Sequence, residues 1–298
     1  MKQVIQLFKR NCLCFLKDPK RIFFTIMAPV IIFACFLLFA KNIYKEQMNQ
    51  TLNAQEVINN LYLYSPDTKE LIKKEYADWF LLIGMMTVIP FTNALSITSV
   101  MVSDAEKKVL NDLFITPVRS SSIRFSYWFF NLILNIIIST FIYTIILTYM
   151  TINKTLTFDS IKTLKVWGIV LFSCVFNSAM VVFFISFVKN TGVFAALNSV
   201  LSMISGFLTG AFIPLTSMPK EVAELASLIP TTQISNLLRT VLLDGKDIFA
   251  NSISAAHSYL LWIDKDKIEM WHITLYILSF TALFIFLNFA IKYNKQKK

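Results

Sequence analysis

Residues that could perform catalysis are few and scattered in this 298-residue sequence. The two histidines have no partner at metal-ligand spacing, and Cys12-x-Cys14 has no nearby His or Cys that could complete a metal site. The only Gly-Lys pair, Gly245-Lys246, has no glycine-rich loop before it and is not a Walker A motif. We therefore predict no catalytic residue, no bound cofactor, no metal site and no enzyme activity.

The composition indicates the solvent in which the chain folds. Hydrophobic residues make up 56% of the sequence and charged residues 15%, with 28 phenylalanines, whereas soluble domains carry about 25% charged residues. A soluble protein of this size could not hide so much apolar surface, since apolar atoms already form more than half of a folded surface. The aromatic content also excludes a disordered chain. The sequence predicts an integral membrane protein.

Six uncharged apolar runs are long enough to cross a bilayer, which takes about 20 residues. They span residues 22–40, 79–102, 125–150, 166–188, 191–213 and 271–291. We predict an all-α integral membrane fold with six transmembrane helices in a single domain over residues 1–298. Secondary transporters and ion pumps usually place charged side chains inside the membrane. The lack of Asp, Glu, Lys and Arg in all six runs therefore weighs against ion-driven transport.

The distribution of charge predicts the orientation, because Lys and Arg accumulate in cytoplasmic segments. With the N-terminus in the cytoplasm, the cytoplasmic segments hold 15 basic and 4 acidic residues, a net charge of +11. The opposite side then holds 13 basic and 14 acidic residues, a net charge of −1. We predict a multi-pass plasma-membrane protein with both termini in the cytoplasm, and we attribute its basic excess to orientation rather than to nucleic-acid binding.

Three segments flank the predicted spans. Residues 1–21 combine apolar residues at helical spacing with interleaved cations, which predicts an amphipathic interfacial helix near anionic lipid. The alternative is a cationic flank that only obeys the charge rule. The external segment 41–78 is polar and predicts a small helical cap. The external segment 214–270 holds apolar stretches too short to cross, which are typical of re-entrant or interfacial helices.

Small and polar residues inside the spans suggest helix contacts. Ser202, Gly206 and Gly210 recur every four positions and would let two backbones approach closely, either within the chain or at a dimer face. The strongest polar groups in the spans are asparagines, which we predict to pack helices rather than to line a polar pathway. They are Asn93, Asn131, Asn135, Asn177, Asn198 and Asn288.

The cytoplasmic segment 103–121 predicts a short surface helix. Leu110 and Leu113 lie on one face of an amphipathic turn, and Thr116-Pro117 would end it because proline disfavours the α conformation before it. Such a helix could dock a soluble partner. The alternative interpretation is an ordinary connecting loop.

At this segment the sequence resembles the ABC type-2 permeases, the membrane-spanning subunits of ABC exporters. The matching residues are Glu106, Leu110, Leu113, Thr116, Pro117 and Val118. The family's usual glycine and threonine after the acidic residue are replaced here by Lys108 and Val109. A second set of residues resembles the family's exit from the fifth span and the stretch that follows: Gly210, Pro214, Pro219, Pro230, Arg239 and Gly245.

The resemblance implies a permease that pairs with a second copy, as a homodimer, or with a similar permease, as a heterodimer. Separate ABC ATPase subunits would bind and use ATP-Mg. Coupling to the ATPase would fall to Glu106, Leu110, Leu113, Thr116 and Pro117, and the outer gate to the second set of residues, from Gly210 to Gly245. The expected function is ATP-driven export of an amphiphilic or hydrophobic cargo: a drug, a peptide or a lipid. The alternatives are a secondary transporter, a membrane enzyme or another polytopic protein without an ATPase partner.

Overall fold

A computed structural model describes residues 2–59, 66–115, 118–155, 160–212, 218–243 and 270–290. All regular secondary structure within these ranges is helical. The helices are α1 Lys2–Leu16, α2 Pro19–Cys35, α3 Lys41–Asn59, α4 Pro66–Glu106, α5 Val109–Ile115, α6 Ser120–Ile152, α7 Ser160–Ile185, α8 Thr191–Leu208, α9 Lys220–Ser227, α10 Pro230–Leu243 and α11 Met270–Ala290, and a π-helical turn, Phe36–Ala40, joins α2 to α3.

Six helical segments in the described ranges are long and apolar enough to cross a membrane. They are Pro19–Gln50, Asp67–Glu106, Ser120–Ile152, Ser160–Ile185, Thr191–Leu208 and Met270–Ala290. The predicted all-α fold with six transmembrane helices is therefore confirmed. Helix α8, the fifth of these segments, ends at Leu208. Gly210 follows with φ of 68°, a left-handed conformation that ends helices and favours glycine.

Local sequence determines where several helices begin. The Asp18 side chain accepts a hydrogen bond from the backbone N–H of Arg21 at 3.2 Å, and Pro19 takes the first position of α2, where no N–H is needed. The Asn190 side chain caps α8 by accepting from the N–H of Val193 at 3.0 Å. These caps hold the turns before α2 and α8 in place.

The central element is α4, which contributes to both of the buried apolar clusters found among the described residues. Of its most apolar stretch, 89% is buried, compared with 17% for the first and for the fifth of the six segments. The outward faces of α2 and α8 carry large apolar side chains such as Phe24 and Met203, as expected of surfaces that meet lipid. The bundle is thus built around α4, with α2 and α8 at its periphery.

Buried asparagines join the central helices. The Asn131 amide donates to the Ala94 carbonyl at 2.8 Å, and the Asn135 amide donates to the Pro90 carbonyl at 2.8 Å, so both link α6 to α4. The Asn288 amide donates to the Ala179 carbonyl at 2.8 Å and links α11 to α7. Hydrogen bonds of this kind contribute about 0.6 kcal/mol each in membrane proteins. These side chains pack helices together, as their position in the sequence predicts.

The long helices alternate in direction, so the bundle has two ends. We call the one that holds α1, α5 and the first turn of α8 the α5 end. The other, which we call the α9 end, holds α3, α9 and the last turn of α8.

Candidate functional site

The predicted coupling segment forms a helix-turn-helix corner at the α5 end. Helix α4 ends at Glu106, a two-residue turn follows, and α5 begins at Val109. Within the turn, Lys108 has φ of 59°, a left-handed conformation that costs a side-chain-bearing residue roughly 1–2 kcal/mol. Lys108 replaces the glycine that is usual in the family the sequence resembles. A lysine thus occupies the left-handed position of this turn, at this cost in conformational energy.

One face of α5 packs against the chain's own core. Leu110 is only 4% exposed and belongs to a buried cluster with residues of α1, α4 and α6, and the half-buried Leu113 packs against the same cluster. The opposite side of the segment is open, with Lys107, Asp112 and Ile115 exposed, Ile115 at 83%. The leucines therefore fasten the segment to the bundle, and the charged residues and Ile115 form its free surface.

The carboxylate of Glu106 connects the segment to α8. It accepts a hydrogen bond from the Thr191 hydroxyl at 2.7 Å and a second from the Thr191 backbone N–H at 3.3 Å. Thr191 is the first residue of α8, where unpaired N–H groups and the helix dipole favour a negative charge. The last residue of α4 and the first residue of α8 are thus held together across 85 positions of sequence.

A second contact at the α5 end joins three helices. Arg10 of α1 pairs with Asp104 of α4 at 2.8 Å, and the Tyr127 hydroxyl of α6 donates to the same Asp104 oxygen. Burial lowers the pKa of Arg10, but the hydrogen bonds and charges of Asp104 and Tyr127 raise it by more, so the net pKa of Arg10 lies above its ordinary value. This cluster ties the N-terminal helix to the end of α4.

At the α9 end the structure brings together two predicted gate residues. The Arg239 guanidinium, in α10, donates to the Gly210 carbonyl at 3.2 Å and to the Thr209 carbonyl at 3.5 Å. The Tyr44 hydroxyl donates to the same Gly210 carbonyl at 3.0 Å, and the Arg239 guanidinium lies 5.6 Å from the centre of the Phe80 ring. These donors satisfy carbonyl groups that the end of α8 leaves without intrahelical partners.

The other predicted gate and packing residues that the structure describes lie in α8 or at the starts of α9 and α10. Pro219 precedes α9 and Pro230 begins α10, so both mark helix starts. The ring of Phe212 covers Gly206, and a Cβ added to Gly206 would lie 2.1 Å from this ring. Gly206 is therefore covered from within the chain, while Ser202 is half-buried. Four predicted site residues lie outside the described residues: Thr116, Pro117, Pro214 and Gly245.

Sequence reasoning missed an ion pair at the α9 end. The Lys41 ammonium lies 2.8 Å from Asp78 and donates to the Tyr149 hydroxyl at 2.7 Å, while the Thr155 hydroxyl donates to the second Asp78 oxygen at 2.8 Å. The sequence did contain a signal. Lys41 directly follows the first apolar run and Asp78 directly precedes the second, so opposite charges border consecutive spans.

The described residues also bear on metal binding. Within the described ranges, no group of three His, Cys, Asp or Glu side chains lies close enough together to hold a metal ion. Cys12 and Cys14 are free thiols, and burial raises the pKa of Cys12. At both ends of the bundle, the described contacts are hydrogen bonds and ion pairs that join helices.

Comparison with known proteins assigns the chain to a family. No curated protein matched the chain. The family model described as ABC-2 type transporter matches residues 2–243. This stretch includes the predicted coupling segment, α8, and the consecutive helices α9 and α10, which are joined by Leu228-Ile229 and which we call the α9–α10 hairpin. The chain therefore belongs to the ABC-2 type transporter family.

Proposed function

We propose that this multi-pass membrane protein is the permease subunit of an ATP-driven exporter in the plasma membrane. The family is of the permease type, which lacks an ATPase domain and works within an ABC transporter that includes an ATPase. In our proposal, separate ABC ATPase subunits bind the α5 end from the cytoplasm and use ATP-Mg. A second copy of the permease, or a similar chain, completes the transport path.

The observation that carries the proposal is the two-sided character of the coupling segment. A helix that transmits force must be anchored to its own chain and must also present a surface to its partner. Leu110 and Leu113 supply the anchor, because both pack on the buried cluster at the α5 end. Lys107, Asp112 and Ile115 supply the exposed surface. An exposed apolar side chain that becomes buried when a partner binds can supply much of the binding energy.

The character of the bundle supports the proposed cargo. The peripheral segments carry apolar side chains on their outward faces, and the buried polar groups of the bundle are mostly amides and hydroxyls engaged in helix packing. Such a path suits an amphiphilic or hydrophobic cargo such as a drug, a peptide or a lipid. In the proposal, the α9–α10 hairpin near Gly210 and Arg239 forms the outer gate, on the side of the membrane away from the ATPase.

The test is a pair of matched substitutions at the two ends of the bundle. Ile115 at the end of α5 and Ile152 at the end of α6 are both highly exposed, at 83% and 76%. The Ile115→Ser variant should weaken co-purification with the ATPase subunits about tenfold, because removing a central apolar contact costs more than about 1 kcal/mol. The Ile152→Ser variant should bind the ATPase as the unmodified chain does.

The two isoleucines also separate the possible outcomes. Equal ATPase binding by the Ile115→Ser variant and the unmodified chain would exclude the α5 surface as the docking site. Failure of the unmodified chain to bind any ATPase, together with transport driven by a proton or sodium gradient, would identify a secondary transporter instead.

A further inference from the structure

We infer that α8 is the element that carries movement of the coupling segment to the α9–α10 hairpin, with Glu106 and Arg239 as positioning residues at its two ends. This inference rests on the proposed function, because ATPase binding at the α5 end supplies the movement. It deepens the proposal by naming the helix and the contacts that transmit it.

The first end of α8 is attached directly to the coupling segment. Glu106, the last residue of α4, holds Thr191 through the two hydrogen bonds from its hydroxyl and its backbone N–H. A carboxylate at a helix N-terminus also attracts the positive end of the helix dipole. Any displacement of the corner between α4 and α5 therefore pulls on the first turn of α8.

The second end of α8 is attached directly to the hairpin. Arg239 of α10 donates to the carbonyl groups of Thr209 and Gly210, and Tyr44 shares the Gly210 carbonyl. Arg239 is only 4% exposed, so water competes little for its hydrogen bonds. A cation at a helix C-terminus is the electrostatic counterpart of the carboxylate at the N-terminus. The hairpin therefore follows the last turn of α8.

Between its two attached ends, α8 is weakly held. Only 17% of it is buried, compared with 89% of the apolar stretch of α4, and its outward side chains include Val200, Met203 and Phe207. Within the chain, α8 packs mainly against α4, so its displacement disturbs one main helix contact. Helix α4 also joins the two ends, but it packs against most of the other helices, which would have to move with it. The helix that is attached at both ends and packs mainly against one neighbour is α8.

The test uses the permease–ATPase complex in lipid nanodiscs and a reporter thiol on α9. The four native cysteines are replaced by alanine, and Leu225, which is 67% exposed, is substituted with cysteine. The rate at which a water-soluble maleimide labels the reporter is measured with and without ATP and vanadate. The reference chain should show a nucleotide-dependent change in this rate.

Two substitutions at Thr191 then isolate the first clasp. Thr191→Val has nearly the same shape but lacks the hydroxyl and keeps only the weaker backbone N–H bond to Glu106, so the nucleotide-dependent change should be strongly reduced while ATPase binding and ATP hydrolysis persist. Thr191→Ser keeps the hydroxyl and should retain the change. At the other end, Tyr44→Phe removes one hydrogen bond to Gly210 and should reduce the change, with Arg239 still in place to keep the turn folded.

The outcomes distinguish this inference from the function on which it rests. A normal nucleotide response from Thr191→Val would overturn the role of α8 and leave the permease function standing. Equal loss of the response in Thr191→Val and Thr191→Ser would also overturn it, because the hydroxyl would then be irrelevant. Absence of ATPase binding by the unmodified chain would overturn the proposed function, and the inference with it.

Discussion

The two ends of the bundle are fastened by ion pairs built from corresponding elements. At each end, α4 supplies the aspartate, α6 supplies a tyrosine hydroxyl, and an N-terminal segment supplies the cation. The two ion-pair distances are both 2.8 Å. The surroundings differ, because the Asp78 side chain is 1% exposed and its partner Lys41 17%, whereas the Asp104 side chain is 10% exposed and its partner Arg10 28%.

The difference in burial between the two ion pairs indicates how firmly each end of the bundle is held. At the α9 end, both oxygens of Asp78 are engaged, one by Lys41 and one by the Thr155 hydroxyl, and the carboxylate is almost completely buried. At the α5 end, the cation remains partly hydrated, so its attraction to Asp104 is weaker and more easily exchanged. A more deeply buried ion pair suits a fixed end. A more open one suits the end at which a partner is proposed to dock.

The largest effect is expected from breaking the buried pair. Asp78→Asn leaves the Lys41 charge in a buried site without its counter-ion, and such changes cost about 3–5 kcal/mol. The substitution should therefore lower the thermal unfolding midpoint of the chain in detergent, measured by scanning calorimetry, more than any other single substitution in the two clusters.

A double variant is the control for this prediction. Lys41→Met combined with Asp78→Leu removes both charges and should recover much of the lost stability, because apolar pairs often replace buried ion pairs without penalty. If Asp78→Asn unfolded at the same temperature as the unmodified chain, the buried pair would not fasten the α9 end.

A smaller effect is expected from the matching change at the α5 end. Asp104→Asn removes the charge-assisted bonds from Arg10 and Tyr127, which contribute about 1.5–3 kcal/mol in favourable cases, less for the partly exposed Arg10. Added salt should shrink the difference between Asp104→Asn and the unmodified chain, measured as unfolding midpoints at low and high ionic strength, because salt screens exposed pairs more than buried ones. A difference that stayed constant with salt would remove the contrast between the two ends.

The fold could be predicted from the sequence because hydrophobic length and absence of charge are local properties. The same local view assigned Lys41 and Asp78 to the segments outside the spans, although each lies one residue from an apolar run. It could not reveal that the two side chains meet, because that contact depends on how α3 and α4 pack. A pattern along the chain specifies helices but not the pairs that join them.

The candidate sites show the same limit. Glu106 was selected as a residue that couples to an ATPase, and its bond to Thr191 has no counterpart in any local pattern, since 85 positions separate the two. The sequence predicts both Arg239 and Gly210 as outer-gate residues. Nothing in their spacing predicts that the Arg239 side chain donates to the Gly210 carbonyl at the end of α8. Leu110 follows the helical pattern, yet only the packing shows that it faces its own chain.

The smallest expected effect compares two strained turns, one at each end of the bundle. Lys108 in the turn before α5 and Lys154 in the turn after α6 have φ of 59° and 57°. Glycine adopts this conformation freely, so Lys108→Gly and Lys154→Gly should each stabilise the chain by about 0.5–1 kcal/mol after the greater flexibility of the unfolded chain is taken into account.

Lys107→Gly is the control, because Lys107 does not have a positive φ and glycine there should destabilise. The unfolding midpoints of the three variants in detergent give the answer. If only Lys154→Gly raised the unfolding midpoint, the left-handed conformation of Lys108 would not cost stability, which would indicate that the more exposed α5 end adjusts its turn in solution.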